Sequence, residues 1–527
     1  MKILWGGGIK PFKNHFSYYL FLFLLTSLVP VSYFVSHHHY VYVIYIIANN
    51  FAVTYLLVLI RTFIRNKLLN RIYTIIIDLA VLLMFLVELF CFVNMNSPFT
   101  EDIAAIILGT NLSEAQEFFN SFFSVKFTVI VLLATVIIVL LCIYIDKIRI
   151  RISKTVCGIL LICLFIGMAM VIHNKAVMNE SLFVKYSLFF KVQSPPDLKM
   201  YEKELHLIKT SEAGTDNADI VLIIGEALSK SHCSLYAYGK KTNPLLTALA
   251  EDSYLYVFNN VISADIHTVA SFKCIMSTYK NSLADKVNWY ECTTLPNVMK
   301  HCGYKTYWIS NQSKKGFYDN VIGKYSELCT DNSFVGNAYK GMSRVNKDEE
   351  ILPLLRKKMK NVSGKSCYFI HLMGQHEAFS KRYTPSFARF TEKDYPDLPK
   401  KQRKNIAEYD NSVLYNDYVV NEIIKQFKDR NAIVFYFPDH ALDLYESSDD
   451  WCAHAKPGDK KSIYFGRQIP FVVYMSQRYK DLHSEIVDKV RKNTNREFST
   501  EDIIYSVMDI IGVDFEDGSV KKYSLFR

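Results

Sequence analysis

Five apolar runs, near residues 17–35, 40–60, 72–93, 127–145 and 156–172, occupy the first third of this 527-residue chain. Each reaches the roughly 20 residues that a helix needs to cross a hydrocarbon layer. Beyond about residue 175 the composition becomes that of an ordinary globular protein, so the chain divides there. The first run reads as a span and not as a cleaved leader, because further spans follow at once and no small-residue cleavage site stands out. The expected organisation is a five-helix transmembrane domain over 1–175, a linker over 176–217 that holds Pro195-Pro196, and an outer domain over 218–527.

The loops set the orientation. Lys2, Lys10 and Lys13 precede the first run, Arg61, Arg65, Lys67 and Arg71 follow the second, and Lys147, Arg149, Arg151 and Lys154 follow the fourth. Residues 95–125 hold Glu101, Asp102, Glu114 and Glu117 and no Lys or Arg. Basic loops stay cytoplasmic, so the N-terminus is expected inside and everything after residue 175 outside. The net charge of +10 comes largely from these clusters and is no sign of nucleic-acid binding. The acidic loop carries apolar residues at helical spacing, which predicts an interfacial helix over about 98–122. Asp78 and Glu88 are costly in lipid and are expected to face the bundle interior or an interface. His37-His38-His39 reads as a short solvated loop, with metal binding as the alternative.

In the outer domain, Ile220–Ile224 is an uninterrupted apolar run ending in Gly225-Glu226, and Ala432–Phe437 is another, ending in Pro438-Asp439-His440. Such runs suit strands buried on both faces of a parallel sheet. Lys305–Ile309, Ser366–Leu372 and Ile469–Met475 read as further strands. Helical patterns fall near 243–251, 294–302, 348–360, 405–428 and 500–511, the last with Ser499 as its cap. Alternation of this kind predicts an α/β outer domain with a mixed, largely parallel sheet. Seven of the eleven cysteines lie here; Cys274 with Cys292 and Cys302 with Cys329 are the pairs to try first. No CxxC spacing exists, which argues against a cysteine-ligated structural zinc.

Two strands that release Glu226 and Asp439-His440 at their carboxyl ends can supply hard and borderline ligands to one metal. Acidic residues also end strands as solvated punctuation, so each stretch alone says little. Between them, Thr268 opens a predicted helix reaching Met276. A hydroxyl there can meet a phosphoryl group at the helix start, or merely cap it.

Taken in order, the motifs carry a resemblance. They are Ile223–Glu226, Ser234-Leu-Tyr-Ala-Tyr238 with Thr242-Asn-Pro244, Asn260–Ser263 before Thr268, Tyr307-Trp-Ile-Ser-Asn-Gln312, His371-Leu-Met-Gly-Gln-His376, Tyr409–Tyr415 and Phe437–His440. The chain resembles the phosphoethanolamine transferases of Gram-negative bacteria, five-span inner-membrane proteins with a periplasmic domain of alkaline phosphatase/sulfatase type. The resemblance implies Zn2+, with Mn2+ the lesser alternative, held by Glu226, Asp439, His440 and Thr268. It implies Thr268 as nucleophile, and His376 and His454 as catalytic and substrate-binding histidines. Glu114 matches an acidic position suited to an ethanolammonium group. The implied donor is phosphatidylethanolamine, and the implied acceptor lipid A, lipopolysaccharide core or another envelope glycan; a monomer is expected. Lys273, Lys230 and Ala237 depart from the commoner residues at their positions, which bears on the choice of acceptor. The alternatives are a lipoteichoic-acid-type glycerolphosphate transferase and a catalytically silent envelope-binding protein.

Overall fold

The computed structural model describes residues 10–36, 38–95, 99, 125–144, parts of 153–163, 205, 208–210, and 217–527 except 284–285, 313–320, 336–345, 361–363, 450–451 and 457–458. The chain forms two compact units, one holding the apolar helices and one the C-terminal α/β domain.

In the first unit, α1 (Lys10–Ser36), α2 (Tyr40–Phe63) and α3 (Lys67–Phe90) coincide with the first three expected spans. All three contain stretches long and apolar enough to cross a membrane. The fourth expected span is α4 (Val125–Tyr144), and the described residues within 155–163 are helical. The rest of the fifth span, the interfacial segment about 98–122 apart from Phe99, and Glu114 lie outside the described residues.

Leu22, Leu25 and Val29 of α1 pack with Val53, Leu57 and Val58 of α2 and with Met84 and Phe85 of α3. Leu24, Leu28, Ile60, Ile76 and Leu83 face outward, as a lipid-facing surface requires. Pro30 has no N–H to give the Thr26 carbonyl one turn earlier, and Asn50 of α2 supplies that donor at 2.9 Å. Asp78 faces inward and accepts a 2.7 Å hydrogen bond from Tyr18, while Glu88 is buried.

The second unit is built on a seven-stranded sheet. Its strands are β1 (Asp219–Gly225), β2 (Leu255–Phe258), β3 (Lys305–Ser310), β4 (Asp331–Phe334), β5 (Ser366–His371), β6 (Ala432–Pro438) and β7 (Phe471–Met475), in the spatial order β2-β7-β6-β1-β5-β3-β4. β7 alone runs against the others. Successive side chains of a strand point to opposite faces. Ile220, Leu222 and Ile224 therefore join one core with Phe272, Trp308 and Phe435, while Val221 and Ile223 join another with Tyr409, Ile370 and Val434. Both faces are covered, which accounts for the unbroken apolar run in β1.

Helix α5 (Thr268–Ile275) lies on the first face and the long α6 (Lys400–Lys425) on the second. The predicted helices form, at Pro244–Glu251, Leu295–His301, Ile351–Met359 and Ile503–Ile510 besides α6. Ser499 caps a 3₁₀ turn, Thr500–Asp502, that leads into the last of these. The expected linker is not all connector, because Ile208–Thr210 pairs antiparallel with Val513–Phe515. The described cysteines are free thiols, including both pairs singled out above. Cys274 and Cys292 share a small apolar cluster with Ala264 and Tyr279 and pack there as hydrophobic side chains.

Candidate metal centre

The register of two neighbouring parallel strands creates the site. Gly225 of β1 is paired with Pro438 of β6, so the next residues, Glu226 and Asp439, leave the sheet side by side. The Asp439 amide donates to the Gly225 carbonyl at 3.1 Å and holds that level. Ligand atoms of Glu226, Asp439 and His440 all lie within 4.8 Å of one another, and all three residues are buried. From the first residue of α5, the Thr268 hydroxyl reaches the same point. Its Oγ1 lies 3.2 Å from Glu226 Oε1 and 3.2 Å from His440 Nε2.

The remaining valences show what is left over. His440 Nδ1–H donates to the Ala441 carbonyl at 2.9 Å, which turns Nε2 toward the cluster. Asp439 Oδ1 accepts from the amides of His440 at 2.8 Å and Ala227 at 3.3 Å. Asp439 Oδ2 is buried with no hydrogen-bond partner. It lies 3.6 Å from His440 Nε2, beyond hydrogen-bond distance; a buried carboxylate oxygen without a hydrogen bond is costly, and a cation repays it. Two carboxylates and one imidazole at this spacing, with an alcohol oxygen beside them, form an N/O donor set that suits zinc. These residues fit a divalent metal.

Electrostatics carry the same message. Burial raises the Asp439 carboxyl, and the neighbouring Glu226 charge raises it further, to about 7. Burial also pushes Glu226 upward, but the hydrogen bond and charge of His440, with His376 and His371 nearby, hold its carboxyl below the usual range. For His440, burial would lower the pKa, yet Asp439 and Glu226 together raise it to about 9. A protonated His440 offsets the Glu226 charge, and a metal would take the place of the His440 Nε2 proton that faces Glu226 Oε1 at 3.1 Å.

His376 stands in the loop after β5, with its Nδ1 buried and without a hydrogen-bond partner. The His454 ring centroid is 4.6 Å from that of His440 and 5.6 Å from that of His267. Burial and the charge of His440 push His454 well below its ordinary value, so the ring is held neutral.

Three further residues position the site; Gln312 and Gly374 lie in motifs quoted above without an assigned role, and Asp348 lies in none. Gln312, just past the end of β3, donates from Nε2 to Glu226 Oε2 at 2.9 Å and to the Leu372 carbonyl at 3.2 Å. Asp348 is buried and accepts from the amides of Met373 at 2.8 Å and Gly374 at 2.9 Å. That clamp presses Gly374 onto the Glu226 backbone, and a Cβ on Gly374 would sit 2.6 Å from the Glu226 carbonyl oxygen. A buried strand ending in an amide, Ser310-Asn311-Gln312, was one available cue to Gln312.

The chain is similar to several known proteins. The 26% identity to phosphoethanolamine transferase EptC of Escherichia coli K12 extends over 462 residues, 81% of this chain and 77% of that protein. Phosphoethanolamine transferase EptA of Helicobacter pylori is 29% identical over 364 residues, 66% of this chain and 63% of the relative. The zinc complex of the periplasmic domain of E. coli EptC is similar at a TM-score of 0.55 and 26% identity, covering 61% of this chain and 88% of that one. The full-length integral membrane lipooligosaccharide phosphoethanolamine transferase A of Neisseria meningitidis shares the fold at a TM-score of 0.70 and 17% identity, over 98% of this chain and 97% of that one. Residues 218–513, more than half of the chain and all four residues of the candidate metal centre, match the sulfatase family profile, and the chain belongs to that family.

Proposed function

We propose that this membrane protein is a phosphoethanolamine transferase that moves the group from phosphatidylethanolamine to an envelope glycolipid, lipid A or lipopolysaccharide core, by way of Thr268. The observation that carries the reading is the convergence of Thr268 Oγ1, 3.2 Å from both Glu226 and His440, on a cluster with a buried carboxylate oxygen that no hydrogen bond satisfies. The names of the relatives supply the group transferred. In this reading the five spans over 1–175 sit in a bacterial inner membrane and residues 218–527 act as a monomer in the periplasm. There donor and acceptor lipids are both within reach.

Glu226, Asp439, His440 and Thr268 would hold the zinc ion, which when bound supplies Lewis acidity and neutralises developing charge on the phosphoryl oxygens. Glu226 Oε1 accepts the hydrogen bond of the Thr268 hydroxyl and is placed to take its proton. Thr268 Oγ1 forms the new bond to phosphorus, and the bond from phosphorus to the diacylglycerol oxygen breaks. His376 gives the leaving oxygen its proton, and His454, neutral and buried beside His440, orients the phosphoryl group. An acceptor hydroxyl then attacks the same phosphorus and gives its proton to His376, the bond from phosphorus to Thr268 Oγ1 breaks, and Thr268 regains its proton from Glu226. The Glu114 carboxylate would pair with the ethanolammonium group.

The test is incubation of the full protein with donor lipid and no acceptor. Diacylglycerol should be released, and a peptide containing Thr268 should gain one phosphoethanolamine mass. Thr268→Ala should abolish both signals and Thr268→Ser retain part of each. Diacylglycerol release that requires the acceptor, with no adduct formed, would overturn the threonine intermediate.

A further inference from the structure

A second site lies along the chain that leads into Thr268. Strand Val261–Ile262 pairs parallel with Phe498–Ser499, and Ile262 also bridges to Gln468. Beside this ribbon runs a groove of about 740 Å³, lined by Lys230, Arg496, Lys522 and Arg527 among others. None of these four cations has a carboxylate within ion-pair distance among the described residues. Lys230 Nζ donates to the Asn259 carbonyl, and Arg496 Nη1 to the Leu525 carbonyl, which aims the two heads without neutralising them. The groove also holds two acidic side chains. Asp502 is already bound by Lys280 at 2.6 Å, and Glu497 is exposed. Tyr464 stands 58% exposed on the wall, a flat apolar face with a polar tip.

We infer that this groove binds a phosphorylated sugar of the acceptor glycan, a proposal that rests on the transferase reading above. Four cations outnumber the groove's two carboxylates, Glu497 and the Lys280-bound Asp502, which favours an anion, and guanidinium groups match phosphate oxygens in a two-pronged geometry. The exposed tyrosine ring, with amide and hydroxyl donors from Gln468 and Ser499, fits a saccharide face better than a bare ion. Ile262 precedes Thr268 by six residues, a stretch of backbone that spans at most about 22 Å. Ile262 on the groove wall is therefore no farther than that from the threonine, a span that a chain of several sugars can bridge. The groove selects the acceptor and takes no part in cleaving the donor.

The experiment titrates the full chain in detergent micelles with a glucosamine disaccharide carrying one phosphate, the same disaccharide without phosphate, and inorganic phosphate. The phosphorylated disaccharide should bind more tightly than either control. Arg496→Gln and Lys522→Gln should each weaken that binding roughly tenfold, the usual worth of one charge-assisted hydrogen bond. Lys522 is exposed, so its replacement leaves packing intact. In the same variants, donor cleavage without acceptor should be unchanged, while the KM for a phosphorylated glycan acceptor rises and kcat holds. Inorganic phosphate binding as tightly as the disaccharide would mean a simple anion site, and unchanged binding in both variants would mean no site; either result overturns the proposal. Loss of donor cleavage in the native protein would instead strike at the transferase reading.

Discussion

Gly374→Ala separates two costs that a glycine can conceal. Gly374 and Gly518 both have left-handed backbones, φ +49° and +71°. A side chain in that region costs about 1–2 kcal/mol. At Gly518 a Cβ would meet nothing within 4 Å, so Gly518→Ala measures the backbone term alone. At Gly374 the Cβ would also lie 2.6 Å from the Glu226 carbonyl oxygen, 2.8 Å from its nitrogen and 3.2 Å from its Cα. These are backbone atoms of a buried strand end, and they cannot swing away. Forcing a methyl group into such packing costs about 1–3 kcal/mol more, for a total of about 2–5 kcal/mol. The strain falls on the residue that supplies a metal-facing carboxylate. Thermal unfolding of the two variants in detergent, with metal content by mass spectrometry, makes the comparison. Gly518→Ala should keep its metal and lose little stability; Gly374→Ala should lose more of both. Equal destabilisation and equal metal content in the two variants would refute the claim that Gly374 sets the position of Glu226.

Other expectations follow from particular contacts. Gln312→Ala removes the amide on Glu226 Oε2 and should weaken metal affinity about 10- to 100-fold, read by competition with a chromophoric chelator. Asp439→Ala should lose metal and activity together, and chelation of the native protein should stop transfer until zinc is restored. His232 is buried against Asp410 at 2.7 Å. Burial lowers its pKa, but the Asp410 charge and hydrogen bond raise it above the ordinary value. The stability that this pair contributes is thus fully present below about pH 6.5 and fades as pH rises through the higher folded value. His232→Gln should flatten the fall in melting temperature across that window. Tyr409→Phe removes the hydroxyl that donates to the Ala227 carbonyl and accepts from the Ser229 amide, and should cost about 1–3 kcal/mol in a denaturation assay.

Length and hydropathy alone determined the division of the chain, since a bilayer imposes a local rule that about 20 consecutive residues either satisfy or do not. The buried strands were equally legible, because Ile220–Ile224 and Ala432–Phe437 suit only a sheet covered on both faces. Their terminal residues Glu226, Asp439 and His440 could be read from the same strings. Strand β4, Asp331-Asn-Ser-Phe334, escaped notice because a half-exposed edge strand carries polar residues and no alternation. Ile208–Thr210 escaped for a different reason: three residues have no periodicity, and their partners lie at Val513–Phe515.

What only the tertiary structure decided was who stands next to whom. Gln312 and Glu226 are 86 residues apart, and the Ala227 amide that caps Asp439 is 212 residues from it. Asp348 governs the site without touching it, through two amides of the loop that rests on Glu226. Contacts of this kind depend on strand order and register, which place Gly225 opposite Pro438, and no local pattern records them. The basic groove is of the same sort. Lys230, Tyr464, Arg496 and Lys522 are unremarkable surface residues along the chain, and one wall once the strand Phe498–Ser499 has docked beside Val261–Ile262. Local physics writes the elements into the sequence; the site's chemistry arises where distant elements bury their ends together.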